Sequence, residues 1–438
     1  MRIKRAACLW LASAMLLAML VTGCAKQSGD FKHQPDFDVA STSALLIELN
    51  SGNIIFEKAP DDRATPYALT QMLTALLAIE ETEDLSSDIA SPVALDGSES
   101  ETSYTMEQLL RYIIFDSHTQ AAQLVAFTVG GGDQNSFISR LNERARGLGA
   151  KSTNFADASG EDVANNYTTA RDIAMIAKAV YQNNIYMSIA GESSYTLPSS
   201  DTHDEETIDN NSDLEDAGLT GVTGIKYGTG GEGLANLVCV TEQNGMKLLL
   251  VLLGAPQGGD TSVFEDAKGL FDWTLTTCKL VKGPKSGEPV TGLAVAEGFA
   301  QDKVALTLTK KLDSVLPKTA VPDDVYLLCR THGIIDAATG KGAVVGSADI
   351  LYENELLLSL PLVTDRAVNK KGAAPAWANV LLGIGGMILG LFVLLLIVRQ
   401  INIIRYRRKR LKRLDEKRRL MRSELEKTSG TPRPPMKR

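Results

Sequence analysis

Thr65-Pro66-Tyr67-Ala68-Leu69-Thr70-Gln71-Met72-Leu73-Thr74-Ala75-Leu76-Leu77-Ala78-Ile79 carries apolar residues at helical spacing: Leu69, Met72, Leu73, Leu76, Leu77 and Ile79. Pro66 stands in the first turn, where its missing N–H removes no helical hydrogen bond. The apolar positions cover most of the helix surface and leave no face for water. The spacing therefore predicts a helix buried at the centre of its domain.

Upstream of that helix, Ser43 to Glu48 and Asn53 to Glu57 flank Asn50-Ser51-Gly52, which predicts a hairpin. Downstream, periodicity predicts helices over Met106 to Phe115, Thr119 to Val129, Asn135 to Leu148 and Thr169 to Asn183. Strands come next at Gly221 to Lys226, Ala235 to Glu242 and Met246 to Leu253, the last two joined by the turn dipeptide Asn244-Gly245. A helix from Thr261 to Cys278 closes the segment. Strands at both ends imply a sheet completed by pieces distant in sequence and covered by helices, an α+β domain over 43–280.

Between the helices and the later strands, Ser199 to Leu219 holds eight acidic residues and no Lys or Arg. It reads as a solvated loop, since its carboxylates lack calcium-loop spacing. Beyond Gly283-Pro284, residues 285–366 alternate short β-rich runs (Val304 to Leu306, Val325 to Leu328, Leu356 to Leu358) with Gly, Pro and Asp turns. That pattern predicts a small all-β domain. Lys370 to Ala374 links it to the C-terminal apolar segment.

The whole chain is 438 residues, 44% hydrophobic and 22% charged, which excludes wholesale disorder, and no fixed-length repeat is visible. Its charge is unevenly spread: residues 399–438 hold 16 Lys or Arg against 4 Asp or Glu, on a chain whose formal net charge is -8. Two apolar segments explain the division. Arg2, Lys4 and Arg5 precede an uncharged run from Ala6 to Val21, and small residues lead to Cys24, so 1–24 reads as an export signal. Leu20-Val21-Thr22-Gly23-Cys24 is similar to a bacterial lipobox, with Cys24 as the acylated lipid anchor; the alternative is an ordinary cleaved signal. Residues 25–42 are a polar tether. Trp377 to Val398 gives 22 residues with Asn379 the only strongly polar side chain. At 1.5 Å per residue this reaches about 33 Å, against a hydrocarbon core of about 30 Å, which predicts a transmembrane helix over 377–398. The basic residues directly after it place 399–438 in the cytoplasm and the main domains outside.

The remaining cysteines (Cys8, Cys239, Cys278, Cys329) and the histidines (His33, His118, His203, His332) are scattered. They suggest neither a disulfide framework nor a metal site, and no cofactor is implied.

In this order of signal, α/β domain, β domain and C-terminal anchor, the chain resembles the low-molecular-weight penicillin-binding proteins. These are the serine D-alanyl-D-alanine carboxypeptidases that trim peptidoglycan stem peptides. The matching stretches are Pro66 to Leu77, Leu148-Gly149-Ala150 with Thr153-Asn154-Phe155 and Ser159-Gly160, and Tyr167-Thr168-Thr169-Ala170-Arg171-Asp172-Ile173-Ala174. Gly340 to Gly346 and Pro361-Leu362-Val363 match in the β domain. The resemblance implies a DD-peptidase/β-lactamase-like fold, helices on an antiparallel sheet, over roughly residues 43 to 366.

Family catalysis rests on Ser-x-x-Lys, Ser-x-Asn and Lys-Thr-Gly. One helical turn brings the serine and its lysine into one cleft, where a neutral lysine takes the serine proton. Here the first motif reads Ala68-Leu69-Thr70-Gln71, the second Ser117-His118-Thr119 and the third Lys226-Tyr227-Gly228. A methyl group is no nucleophile and an amide accepts no proton at neutral pH. No Lys in the chain has a Ser three residues before it, so no displaced copy exists. Loss of the nucleophile alone costs roughly a millionfold in kcat in a serine hydrolase.

The leading expectation is a catalytically silent relative whose cleft, lined by Ser117, Thr119, Lys226, Tyr227 and Gly228, binds a peptidoglycan stem peptide or an envelope protein. Tyr227 and Thr119 would reshape its pocket. Two alternatives stand beside it. One is a hydrolase using a Ser117/Lys226 dyad, with His118 read as a surface or packing residue. The other is an adaptor whose basic tail, Arg405 to Arg422, binds anionic lipid or a partner; no base-reading motif points to nucleic acid.

Overall fold

The computed structural model describes residues 34–91, 94–95, 101–161, 163–210, 214, 217–257, 262–294, 303–331, 335, 339–367 and 376–428. The signal, Cys8, Cys24, His33 and His332 lie outside them. In chain order the elements begin with β1 (Ser43–Glu48), β2 (Ile54–Lys58), α1 (Thr70–Glu81), β3 (Asp88–Ser91), β4 (Thr102–Thr105), α2 (Met106–Asp116), α3 (Thr119–Val129), α4 (Gln134–Leu148), α5 (Ala170–Tyr181) and α6 (Asn184–Ala190). They continue with β5 (Ser194–Leu197), β6 (Glu206–Asp209), β7 (Val222–Thr229), β8 (Leu234–Gln243), β9 (Met246–Pro256) and α7 (Val263–Thr277). Then come β10 (Cys278–Val281), β11 (Pro289–Ala294), β12 (Lys303–Leu308), β13 (Ser314–Pro317), β14 (Val325–Thr331), β15 (Val344–Tyr352), β16 (Glu355–Thr364) and α8 (Ala376–Thr428).

The main sheet is antiparallel, in the order β2-β1-β9-β8-β7. The N-terminal hairpin is thus carried onto strands some two hundred residues away, with Leu45 opposite Val251. β9 is apolar at nearly every position because both its faces are covered. Leu249, Val251 and Leu253 pack under the helices with Leu69, Met72, Leu73 and Leu76 of the central segment. Leu248, Leu250 and Leu252 face α7 through Val263, Ala267, Leu270 and Phe271. Met72, Leu73, Leu76 and Leu77 are all buried, which agrees with a helix that has no wet face.

Caps fix the helix starts. Thr105 Oγ1 accepts from the Gln108 N–H at 3.2 Å while Gln108 Oε1 accepts from the Thr105 N–H at 2.8 Å, a reciprocal box that satisfies two orphan donors. Thr169 does the same single-handed for α5 through the Asp172 N–H.

The structure departs from the sequence reading at several points. A 3-10 turn, Tyr67–Leu69, precedes α1, with Tyr67 in the left-handed region at φ 47°. The acidic segment is not all loop, because β6 pairs with β5 and Glu206 accepts a 2.6 Å hydrogen bond from the Tyr112 hydroxyl. Among the described residues no helix is long and apolar enough to cross a membrane, so the structure does not support the span expected at 377–398.

The second large sheet has the order β11-β12-β16-β15-β14 and its own core of Val304, Leu306, Leu308, Ile350, Leu358 and Leu362. It forms one compact unit with the first, and Asn53 bonds to both the Val315 N–H and the Leu357 carbonyl. β13 pairs with β10 instead of joining that second sheet. α8 belongs to a separate unit.

Candidate functional site

Where α1, the α2–α3 junction, the loop at 157–161 and the edge strand β7 meet, they enclose a cleft of about 380 Å³. Ala68, Gln71, Ser117, Thr119, Tyr227 and Gly228 all line it, so residues up to 160 apart in sequence converge as the motif reading requires. Tyr67, Asp116, Ser159, Gly160, Glu161 and the Thr229–Gly231 turn complete the wall. The motif reading did not mark Tyr67, Asp116 or Glu161 as cleft residues. Ser159-Gly160, noted only as a family match, carried the signal for its own loop.

Gln71 is 1% exposed and acts as a clasp. Its Nε2 donates to the Ser117 carbonyl at 2.9 Å and to the Ser159 carbonyl at 2.8 Å. Thr74 adds a bond from Oγ1 to the Ala158 carbonyl at 2.7 Å. The amide thus ties α1 to both facing segments without burying a charge, which an ammonium in its place would do. Ser117 ends α2 in the left-handed conformation at φ 59°, which turns the chain sharply into α3. His118 caps α3 by accepting the Ala121 N–H and stands edge-on to Tyr112. Its burial holds the imidazole below its ordinary range, so it serves as a helix cap and not as a surface group.

β7 places the third motif through a bulge. The register shifts between Gly224 and Lys226, so Ile225 and Lys226 both turn toward the helices. Alternation then resumes. Tyr227 points to the opposite face, its ring 5.1 Å from that of Phe264, and Gly228 returns to the helical side. A Cβ on Gly228 would lie 2.4 Å from the Ala68 Cβ, so this glycine is kept by the close pass of strand against helix.

These positions correct two expectations. Tyr227 lines the cleft, but its ring packs against Phe264 on the other face of the sheet instead of filling the pocket. Lys226 does not line the cleft: its side chain is fully buried and Nζ donates to the Ile113 and Ile114 carbonyls. Ser117 Oγ donates to the Tyr227 carbonyl at 3.1 Å. Ser117 Oγ and Lys226 Nζ are thus each bonded to backbone carbonyls. Cys24 lies outside the described residues.

The arrangement offers a shaped polar cleft, with hydrogen-bond acceptors on the floor and a strand edge along one wall. Ser117 Oγ, the hydroxyl at the second-motif position, bonds a backbone carbonyl and not a basic side chain.

The D-alanyl-D-alanine carboxypeptidase (Peptidase S11) family model matches residues 29–257. D-alanyl-D-alanine carboxypeptidase DacF of Bacillus subtilis is 23% identical over 84% of this chain and 96% of its own. DacA of Escherichia coli strain K12 is 26% identical over 74% and 83%. Among solved structures, penicillin binding protein 5 from Haemophilus influenzae superposes with a TM-score of 0.68 at 22% identity, covering 77% of this chain and all of the other, a likeness of fold.

Proposed function

Because the chain belongs to the D-alanyl-D-alanine carboxypeptidase family, we propose that it is a catalytically silent member, held at the cell membrane, whose cleft binds a cell-wall peptide or envelope partner without cutting it. One observation carries this reading. At the family's nucleophile and base positions stand Ala68 and Gln71, and the Gln71 amide is already committed to two backbone carbonyls. Binding needs affinity alone, whereas turnover needs groups that act in the transition state. Both reacting groups are replaced, and the remaining amine, on Lys226, is turned into the core.

Anchoring is proposed from the sequence: the apolar run Trp377 to Val398, followed by Arg399 and the basic stretch from Arg405. The stretch Arg405 to Arg422 would then lie against anionic head groups of the inner leaflet, and an acylated Cys24 would add a second tether.

The test is D-alanine release from a stem peptide ending in D-Ala-D-Ala, using the full-length chain in detergent. Release is expected to equal that of the buffer control, and to be unchanged by Ser117→Ala. Release above buffer would overturn silence, and its loss in Ser117→Ala would assign it to that serine.

A further inference from the structure

The outer edge of a sheet carries unpaired N–H and C=O groups, and proteins blunt such edges with bulges, prolines or charges. The other edges of the two large sheets are blunted in this way. β7 carries the bulge between Gly224 and Lys226, β11 begins at Pro289 beside a register shift, and β2 bears Glu57 in an ion pair with Arg171. β14 has none of these devices. Its seven residues pair with β15 without a register shift and present Val325-Tyr326-Leu327-Leu328-Cys329 as one run, and among the described residues no strand lies beyond it.

Two observations identify what this edge lacks. The Glu353 N–H donates to the Asp324 carbonyl at 3.1 Å, so by the alternation of an antiparallel ladder Tyr326, Leu328 and Arg330 also bond inward to β15. Val325, Leu327 and Cys329 therefore turn their N–H and C=O groups outward. The same three residues share the sheet face that covers its core: Val325 and Cys329 pack on that core, and Ile350, opposite Leu327, is buried in it. Leu327 itself is 40% exposed, as a core-facing side chain is when the sheet stops at its own strand.

A strand added here has to set apolar residues against apolar ones and a carboxylate against Arg330. The sequence of β14 meets both demands itself. About a two-fold axis through Leu327, antiparallel pairing sets Leu327 against its own copy, Tyr326 against Leu328, Val325 against Cys329 and Asp324 against Arg330. Moving the axis by one residue loses the match. Centred on Tyr326, Asp324 meets Leu328; centred on Leu328, Arg330 meets Tyr326 in place of a carboxylate. Arg330 has its Nε 3.0 Å from the Asp349 carboxylate, yet its side chain stays 63% exposed toward an incoming strand.

We propose that a second copy of this chain docks on β14, the two strands pairing antiparallel about Leu327 so that the β-domain sheets of both copies join into one. The proposal is independent of what the cleft binds or whether it cuts.

The test is disulfide trapping on the full-length protein in detergent, with copper phenanthroline as oxidant. Within one chain, positions 325 and 329 lie about 13 Å apart along the strand, too far for a disulfide, whereas across the axis they face each other at about 5.5 Å. Val325→Cys is therefore expected to raise the disulfide-linked dimer at least fivefold over wild type, by bonding to the native Cys329 of the second copy. The gain is expected to vanish in Val325→Cys/Cys329→Ser, and to fall at least threefold in Val325→Cys/Asp324→Lys, which sets a cation against Arg330. Val344→Cys, at an exposed position on β15, reads random collision and is expected to stay at the wild-type level. A Val325→Cys dimer that does not exceed wild type or Val344→Cys, persists without Cys329, or is unmoved by Asp324→Lys would overturn the proposal and leave the edge to a different partner.

Discussion

Gly160→Ala is expected to destabilise the protein by on the order of 3 kcal/mol and to disrupt the cleft. Gly160 has φ +85°, a conformation that penalises any Cβ, and an added Cβ would lie 1.9 Å from the Tyr67 carbonyl oxygen. That oxygen has little room to yield. Tyr67 is itself left-handed, its ring lies against Gly230, and the carbonyls of Thr65 and Pro66 before it are held by Asn236 Nδ2 at 3.0 and 3.1 Å. From the other side, the Asp157 carboxylate accepts the Gly160 N–H at 2.6 Å. Strain and overlap therefore act together. Gly147→Ala in α4 is the control, because a Cβ there meets nothing within 4 Å and a helix gains from alanine by up to about 1 kcal/mol. Urea midpoints should move in opposite directions for the two variants. Equal midpoints would mean that the 157–161 loop is not clamped to Tyr67.

Lys226 makes stability depend on pH. Burial pulls its ammonium from the ordinary 10.5 down to about 7, an effect that Asp116 only partly opposes. Between those values the unfolded chain holds a proton that the folded chain has released, so unfolding takes up a proton and stability rises with pH from near 7 toward 10.5. Below 7 the folded chain must carry the buried charge and the penalty is constant. At about 1.4 kcal/mol per unit the rise amounts to a few kcal/mol. Lys226→Met removes the titrating group, and its stability relative to the wild type should fall as pH rises through this window. Parallel curves for the two proteins in denaturant titrations at pH 7, 8, 9 and 10 would show that Lys226 is not desolvated.

Much of the fold was legible because its signals are local. The central helix announced itself by apolar residues on all sides, the β1–β2 hairpin by Asn50-Ser51-Gly52, and α2 and α5 by the apolar periodicity over Met106 to Phe115 and Thr169 to Asn183. Ala68, Gln71, Ser117, Thr119 and Gly228 line one cleft, a convergence that the family resemblance implied and that no spacing within a single element could have given. The sense of Lys226 and Tyr227 was not legible. A period of two assigns faces only while the ladder is unbroken, and the bulge at Ile225 moves both side chains by one position. Gly224 was the one available hint, since an isolated glycine within a strand pattern often marks a bulge. The β3–β4 and β5–β6 ladders were missed for another reason. Each strand is four residues long, and Glu206–Asp209 hides its pairing inside an acidic run that reads as solvated.

The central claim is that a methyl group and an amide, Ala68 and Gln71, stand at the family's nucleophile and base positions. Intact-mass spectrometry of the full-length chain after saturating benzylpenicillin tests it most directly, with Ala68→Ser/Gln71→Lys measured alongside. The account predicts an unshifted mass for the native chain and a gain of one penicilloyl group for the double variant, whereas a penicilloyl adduct on the native chain would contradict it.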